Sequence, residues 1–473
     1  MRLVPRFLLA LVLTTWAAWA TAGDVWVGVY LAQRKIGYAQ FASGGKLDPT
    51  TGLRRNESVM VLRTQILGDA LDMRMETESF LDSAGKVRKM RFVMDSGGRT
   101  QTVVATVSAT KVVADVDNNG QKSKKTIAIP KGAQLVDDPT LELLARPNLK
   151  AGAKREFYVL DPVTVSLVKN TAVYRGPQEI SLNGSAVQAR LVELLDPRAT
   201  VKTYFDAEGR FLKAVGVMGI EMLPEPQAKA IDLGQAGTPL DLAVSTAVAV
   251  NPPLERPMEA SLLELAITGA DLSRAPSDSR QKIEGEAQQW RVTVRAQRPD
   301  PARSVTIARA AQQQPRWTQS ELYICSDQQN MRDLATRIVG GRTMVVDAAL
   351  KIREYVFGLM KPNAGIGTLR NADEVLKTKE GVCRDYAILT ATLCRAAKIP
   401  TRLATGVVGW EGRFYYHAWV EVWTGYEWLG LDATRPEAGI SASHIKLRQG
   451  TVDEAFVFSL LDGAQVSLVN VKY

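Results

Sequence analysis

Gly381-Val382-Cys383-Arg384-Asp385-Tyr386-Ala387, followed by Tyr416-His417-Ala418-Trp419-Val420-Glu421-Val422-Trp423 and Trp428-Leu429-Gly430-Leu431-Asp432, decide the fold of the last third of this chain. Gly381 permits a sharp backbone turn. Cys383 then falls in the first turn of a helix that runs to about Ala397. Amides there lack intrahelical acceptors and carry the positive end of the helix dipole. Such a setting favours thiolate over thiol, which is the state a nucleophilic cysteine needs. The Cys383 N–H is also a natural oxyanion donor. Asp385 complements the positive helix start.

In a strand, alternate residues face opposite sides, so His417, Trp419, Glu421 and Trp423 share one face and Ala418, Val420 and Val422 the other. Thr424-Gly425-Tyr426-Glu427 reads as a turn. With Trp423 opposite Trp428, Asp432 lies opposite Trp419, and His417 is its diagonal neighbour on the same face. A slip of one residue would turn Asp432 to the other side. A carboxylate that orients an imidazole, which in turn serves a thiol, is the arrangement of nucleophilic catalysis. Tyr416 and Trp419 read as core or cleft wall. His444, after Ser441-Ala442-Ser443, reads as a polar-loop residue and the other candidate base.

These residues, together with Leu393-Cys394-Arg395-Ala396-Ala397-Lys398-Ile399-Pro400-Thr401-Arg402 and Leu431-Asp432-Ala433-Thr434, resemble the bacterial transglutaminase-like family over about residues 327–437. Ala433 stands where that family usually has proline. The resemblance implies a papain-like α+β domain with Cys383 as nucleophile, His417 as base and acid, and Asp432 as the group that orients it.

Outward from this core, Met331, Leu334, Ala335, Ile338 and Val339 have helical spacing and end at Gly340-Gly341. A second amphipathic pattern, from Val345 to Leu359, stops before Pro362. Residues 24–235 instead alternate as strands, punctuated by Asp117-Asn118-Asn119-Gly120, Asn183-Gly184 and similar turns, with one helical interruption near 139–145. The expected fold is multidomain: a β-rich N-terminal region, as an antiparallel sheet or sandwich, followed by the α+β domain. The expected divisions are a signal peptide at 1–22, a β-rich domain at 23–235, a linker at 236–256, a small β domain at 257–326 and the transglutaminase-like domain at 327–473.

Arg2 and Arg6 precede an apolar run and Ala20-Thr21-Ala22, the pattern of a cleaved signal peptide. The expected location is therefore periplasmic or secreted, and no later stretch is apolar enough to span a bilayer. The formal charge is +9, but its Lys and Arg residues are spread out, apart from a run at 122–125, and nothing resembles a nucleic-acid motif. Three cysteines, Cys325, Cys383 and Cys394, are too few for a disulfide scaffold, although an oxidising compartment permits a Cys325–Cys394 bridge. Ligand clusters such as CxxC or HExxH are missing, so no metal or cofactor is expected. The expected function is exported, cysteine-dependent acyl transfer on a carboxamide or peptide bond, with a protein or peptide substrate and a cell-envelope component among the candidates. The alternative is a non-catalytic envelope scaffold or binding protein that keeps the fold.

Overall fold

The computed structural model describes residues 24–43, 47–66, 69–137, 139–182, 184–197, 200–233, 240–456, 461 and 463–473. The expected signal peptide lies outside the described residues. The chain divides into two compact units, one ending at Asp241 and one spanning Leu242–Tyr473.

The N-terminal unit is a single antiparallel sheet of fourteen strands among the described residues. Eight consecutive strands run from Asp24–Leu31 out to Gln121–Ala128. After a short helix, Thr140–Leu144, six more return from Lys154–Asp161 to Glu221–Pro224, which pairs with Asp24–Leu31. Alternation sets the faces. In Asp69–Leu81, for example, Leu71, Met73 and Met75 are buried while Asp72 and Arg74 are exposed. The hairpin read at 117–120 is present, with Asn119 and Gly120 at positive φ and Asp117 Oδ1 accepting the Gly120 N–H at 2.7 Å. The lysine run falls on Gln121–Ala128, the end strand of the sheet, where charge discourages addition of a further strand.

The C-terminal unit holds a nine-stranded sheet in the order Gln281–Glu286, Gln289–Arg295, Leu262–Thr268, Gln465–Lys472, Val248–Asn251, Arg413–Trp423, Thr401–Trp410, His444–Gly450. Trp428–Leu431 also pairs with Arg413–Trp423. The helices expected at 331–339 and 345–359 are Gln329–Val339 and Val345–Leu359. A third, Ala372–Thr378, was not legible in the pattern. All three pack on Cys383–Ala396, hereafter the cysteine helix. That helix is buried on every side from Cys383 to Arg395, the mark of a helix at the centre of its unit. Its polar groups find local acceptors: Thr390 Oγ1 donates to Tyr386 O at 2.7 Å and Thr392 Oγ1 to Ile388 O at 2.8 Å.

Two expected divisions are corrected by the sheet. Most of the supposed linker is structured: Leu242–Ser245 is a short helix and Val248–Asn251 a strand paired to Arg413–Trp423, while 236–239 lie outside the described residues. Nor does 257–326 stand apart, since Leu262–Thr268 is hydrogen-bonded to the C-terminal strand Gln465–Lys472. A buried ion network adds to this join. Lys446 Nζ lies 2.5 Å from Asp278 Oδ2 and 2.6 Å from Glu421 Oε1, and Arg402 Nε donates to Glu421 Oε2 at 2.8 Å. Pairings between residues so distant in sequence leave no local periodicity, which is why strand pattern alone made this segment look separate.

Candidate active site

Cys383 is placed by its turn. Asp385 Oδ2 accepts the Val382 N–H at 2.8 Å, and the Asp385 N–H donates to Val382 O at 2.8 Å, so the first turn closes on itself. Arg370, fully buried, faces the same carboxylate at 3.1 Å and donates to Glu380 O at 2.6 Å. A Cβ at Gly381 would lie 2.5 Å from Arg370 Nη2 and 2.6 Å from Asp385 Oδ2, so glycine is required there by space. Asp385 thus complements the helix start, as read from the sequence, and also answers a buried guanidinium that the sequence did not reveal.

The histidine and aspartate come together through sheet register. Trp423 pairs with Trp428 and Val420 with Leu431, which is the pairing that the turn at 424–427 implied. Asp432 follows directly, and its Oδ2 lies 2.8 Å from His417 Nε2. Both side chains are buried, and the Trp419 ring stacks beside His417 with centroids 6.3 Å apart. The other carboxylate oxygen accepts the Thr434 N–H at 2.8 Å and its hydroxyl at 2.7 Å. Arg353, from Val345–Leu359, donates Nε to the Asp432 carbonyl at 3.2 Å.

The remaining imidazole nitrogen, His417 Nδ1, is buried without a hydrogen-bond partner at bonding geometry among the described residues. Cys383 is nonetheless close enough for thiol and imidazole to alter each other's proton affinity. Catalytic hydrogen bonds are often loose before substrate binds. Burial alone would raise the Cys383 thiol, but His417 and the Ala418 N–H outweigh it and hold the pKa below its ordinary value. Burial would likewise lower His417, yet Asp432 and Cys383 lift it to about 10. Asp432 is pushed up by burial and held well below the ordinary carboxylate range by His417 and His444. Thiol and imidazole thus each favour the charged form of the other, the direction of a thiolate–imidazolium pair, with the carboxylate acting on the imidazole side.

His444 is not a loop residue. It opens the strand His444–Gly450, is fully buried, and places Nε2 3.3 Å from Asp432 Oδ2. The signal that could have found it is composition: the chain has two histidines, so a second one near the first motif carried weight. Donor atoms of His417, Asp432 and His444 all lie within 4.8 Å of one another, a set that could hold a metal ion. The 2.8 Å contact is the length of a charge-assisted hydrogen bond, and a metal would take the Nε2 that Asp432 now orients. Cys325 and Cys394 are buried and, like Cys383, not disulfide-bonded.

Residues 332–433 match the family model of the transglutaminase-like superfamily, so the C-terminal part of the chain carries a transglutaminase-like domain. Among curated proteins, uncharacterized proteins of Mycobacterium bovis and Mycobacterium tuberculosis are 31% identical over 121 residues, which is 23% of this chain and 33% of theirs. The chain thus spans about a third of the length of the curated relatives it matches. Among solved structures, a proposed cysteine protease from Cytophaga hutchinsonii aligns with TM-score 0.32 and 18% identity, over 45% of this chain and 86% of that one. A β-barrel-like protein of unknown function from Brucella abortus aligns with TM-score 0.33 and 15% identity, over 43% and 94%.

Proposed function

We propose that this protein is an exported thiol enzyme that transfers acyl groups from a carboxamide or peptide bond, with Cys383 as nucleophile, His417 as acid and base, and Asp432 as the group that orients His417. The Cys383 thiolate attacks the carbonyl carbon. The His417 imidazolium then protonates the leaving amine as the C–N bond breaks, leaving a thioester. Water, deprotonated by His417, resolves the thioester in a hydrolase, and an amine resolves it in a cross-linker. The cysteine helix start supplies backbone donors toward the oxyanion. Export rests on the signal-like segment 1–22, and the substrate class is protein or peptide in the cell envelope.

The observation that carries this reading is the convergence on one imidazole. Its Nε2 is held at 2.8 Å by a buried carboxylate, and its Nδ1 is left for a thiol at a helix start. One observation favours the second reading, a non-catalytic binding protein: Cys383 is 3% exposed. The two separate by experiment. Iodoacetamide is reacted with the mature protein across pH, and an acyl group is trapped on Cys383 from an envelope extract and identified by mass spectrometry. An ordinary thiol titration at Cys383, unchanged by His417→Ala, or full function of Cys383→Ala in a deletion strain, would overturn the enzymatic reading.

A further inference from the structure

The chain has two histidines, and the fold sets both on one carboxylate oxygen. His444 reaches Asp432 from the strand His444–Gly450, through the pairing Val408↔His444 with Thr401–Trp410. A register shift between Thr405 and Gly406 lies within this pairing. A Cβ at Gly406 would lie 1.9 Å from Ile445 O, so glycine lets the two backbones approach. Behind the ring, His444 Nδ1 is 3.1 Å from Ser441 Oγ, which is 2.8 Å from Ser443 Oγ. The Arg280 guanidinium donates to the carbonyls of both Ser441 and His444, pinning the backbone of this segment.

Proton positions follow from the acceptors. An ionised carboxylate only accepts, so His444 Nε2 carries the proton. A neutral ring then accepts at Nδ1, so Ser441 donates there and Ser443 donates to Ser441. Each proton in this chain points toward Asp432, and each bond polarises the next. Oδ1 holds two donors from Thr434, and Oδ2 holds two from the imidazoles. The charged groups facing His444 agree with its neutrality. Burial lowers its pKa, Asp432 opposes this, and the cations of His417 and Arg280 lower it further, to about 4. The surroundings therefore favour the charged form on His417 and the neutral form on His444.

Resting on the thiol acyl-transfer reading above, we propose that His444 is a positioning residue: a neutral second imidazole that pins Asp432 Oδ2, so that the carboxylate holds His417 with Nε2 inward and Nδ1 turned to Cys383. Without His444, Oδ2 keeps one donor, on a ring that has also lost an edge neighbour 5.9 Å away.

Two measurements on the full mature chain test this. In protein labelled with 15N-histidine, two imidazoles give signals. At pH 7 one should be doubly protonated, and the other neutral with its proton on Nε2. A His444 ring that is doubly protonated, or protonated at Nδ1, overturns the proposal without any variant. Second, iodoacetamide alkylation of Cys383 is followed from pH 4.5 to 10 in wild type, His417→Ala, His444→Ala and His444→Gln, with the melting temperature of each. His444→Ala should raise the alkylation midpoint by about one pH unit and slow the reaction at pH 6 about tenfold. Glutamine keeps an N–H donor toward Oδ2 and should stay within about threefold of wild type. A His444→Ala profile that superimposes on wild type, with only melting lowered, marks a structural role and sinks the proposal; so does a glutamine variant as shifted as alanine. If alanine does not fold, the glutamine variant and the wild-type spectrum still decide. An ordinary thiol titration in wild type, insensitive to His417→Ala, is a different failure: it removes the thiol reading itself, and this inference with it.

Discussion

Replacing Asp432 by asparagine isolates the electrostatic part of the site. The substitution keeps the size of the side chain and one oxygen acceptor for Thr434, but removes the charge that faces His417. His417 stands at about 10 rather than its ordinary 6.5, despite burial that works the other way. That lift is worth about 5 kcal/mol in favour of the imidazolium. Asp432 and Cys383 share it, with Asp432 the larger cause. The Asp432 share, about 3 kcal/mol, is on the order of a hundredfold in the stability of the thiolate–imidazolium pair. The asparagine amide can also donate to Nε2, which moves the imidazole proton to Nδ1 and presents the thiol with a donor instead of an acceptor. Both effects have the same sign. Iodoacetamide alkylation of Cys383 at pH 6, read by intact mass, should therefore slow by about a hundredfold, with the pH midpoint moved up toward that of a free thiol. Denaturant unfolding run in parallel separates this from loss of fold. An Asp432→Asn profile within threefold of wild type, on a folded protein, would refute the claim that this carboxylate sustains the ion pair.

Further outcomes follow from the same geometry. Alkylation needs only the thiolate, so its rate should rise through the depressed thiol pKa and then stay level. Turnover also needs a protonated His417, and should fall again as pH passes about 10, the pKa of that imidazolium; a turnover profile that keeps rising there would contradict its role as acid. Burial pushes the Cys325 thiol up and the Cys394 thiol to about 12, so native labelling mapped by peptide analysis should modify Cys383 alone, and all three only after unfolding. Gly381→Ala would drive a methyl into the Arg370–Asp385 pair and should cost about 1–3 kcal/mol in denaturant unfolding. An unchanged midpoint would show that this turn relaxes freely.

The sequence by itself determined the local features. The Gly381–Cys383 helix start, the alternation from His417 to Trp423 and the turn at 424–427 were all legible, because turn chemistry and side-chain period are properties of short stretches. That turn also sets the register of a hairpin, and the register places Asp432 beside His417. The fourteen-strand sheet was legible only as alternating strands. Its two halves are joined where Asp24–Leu31 pairs with Glu221–Pro224, the first and last strands of the N-terminal unit, and such a contact leaves no periodic trace. Tertiary structure alone decided the rest of the site. His444 reaches Asp432 through a strand added beside Thr401–Trp410, and Arg370 meets Asp385 across a loop and a short helix. The Lys446–Glu421–Asp278 network likewise joins segments far apart in sequence. Buried charges must find partners wherever packing brings them, so their partners are fixed by the whole fold rather than by spacing along the chain.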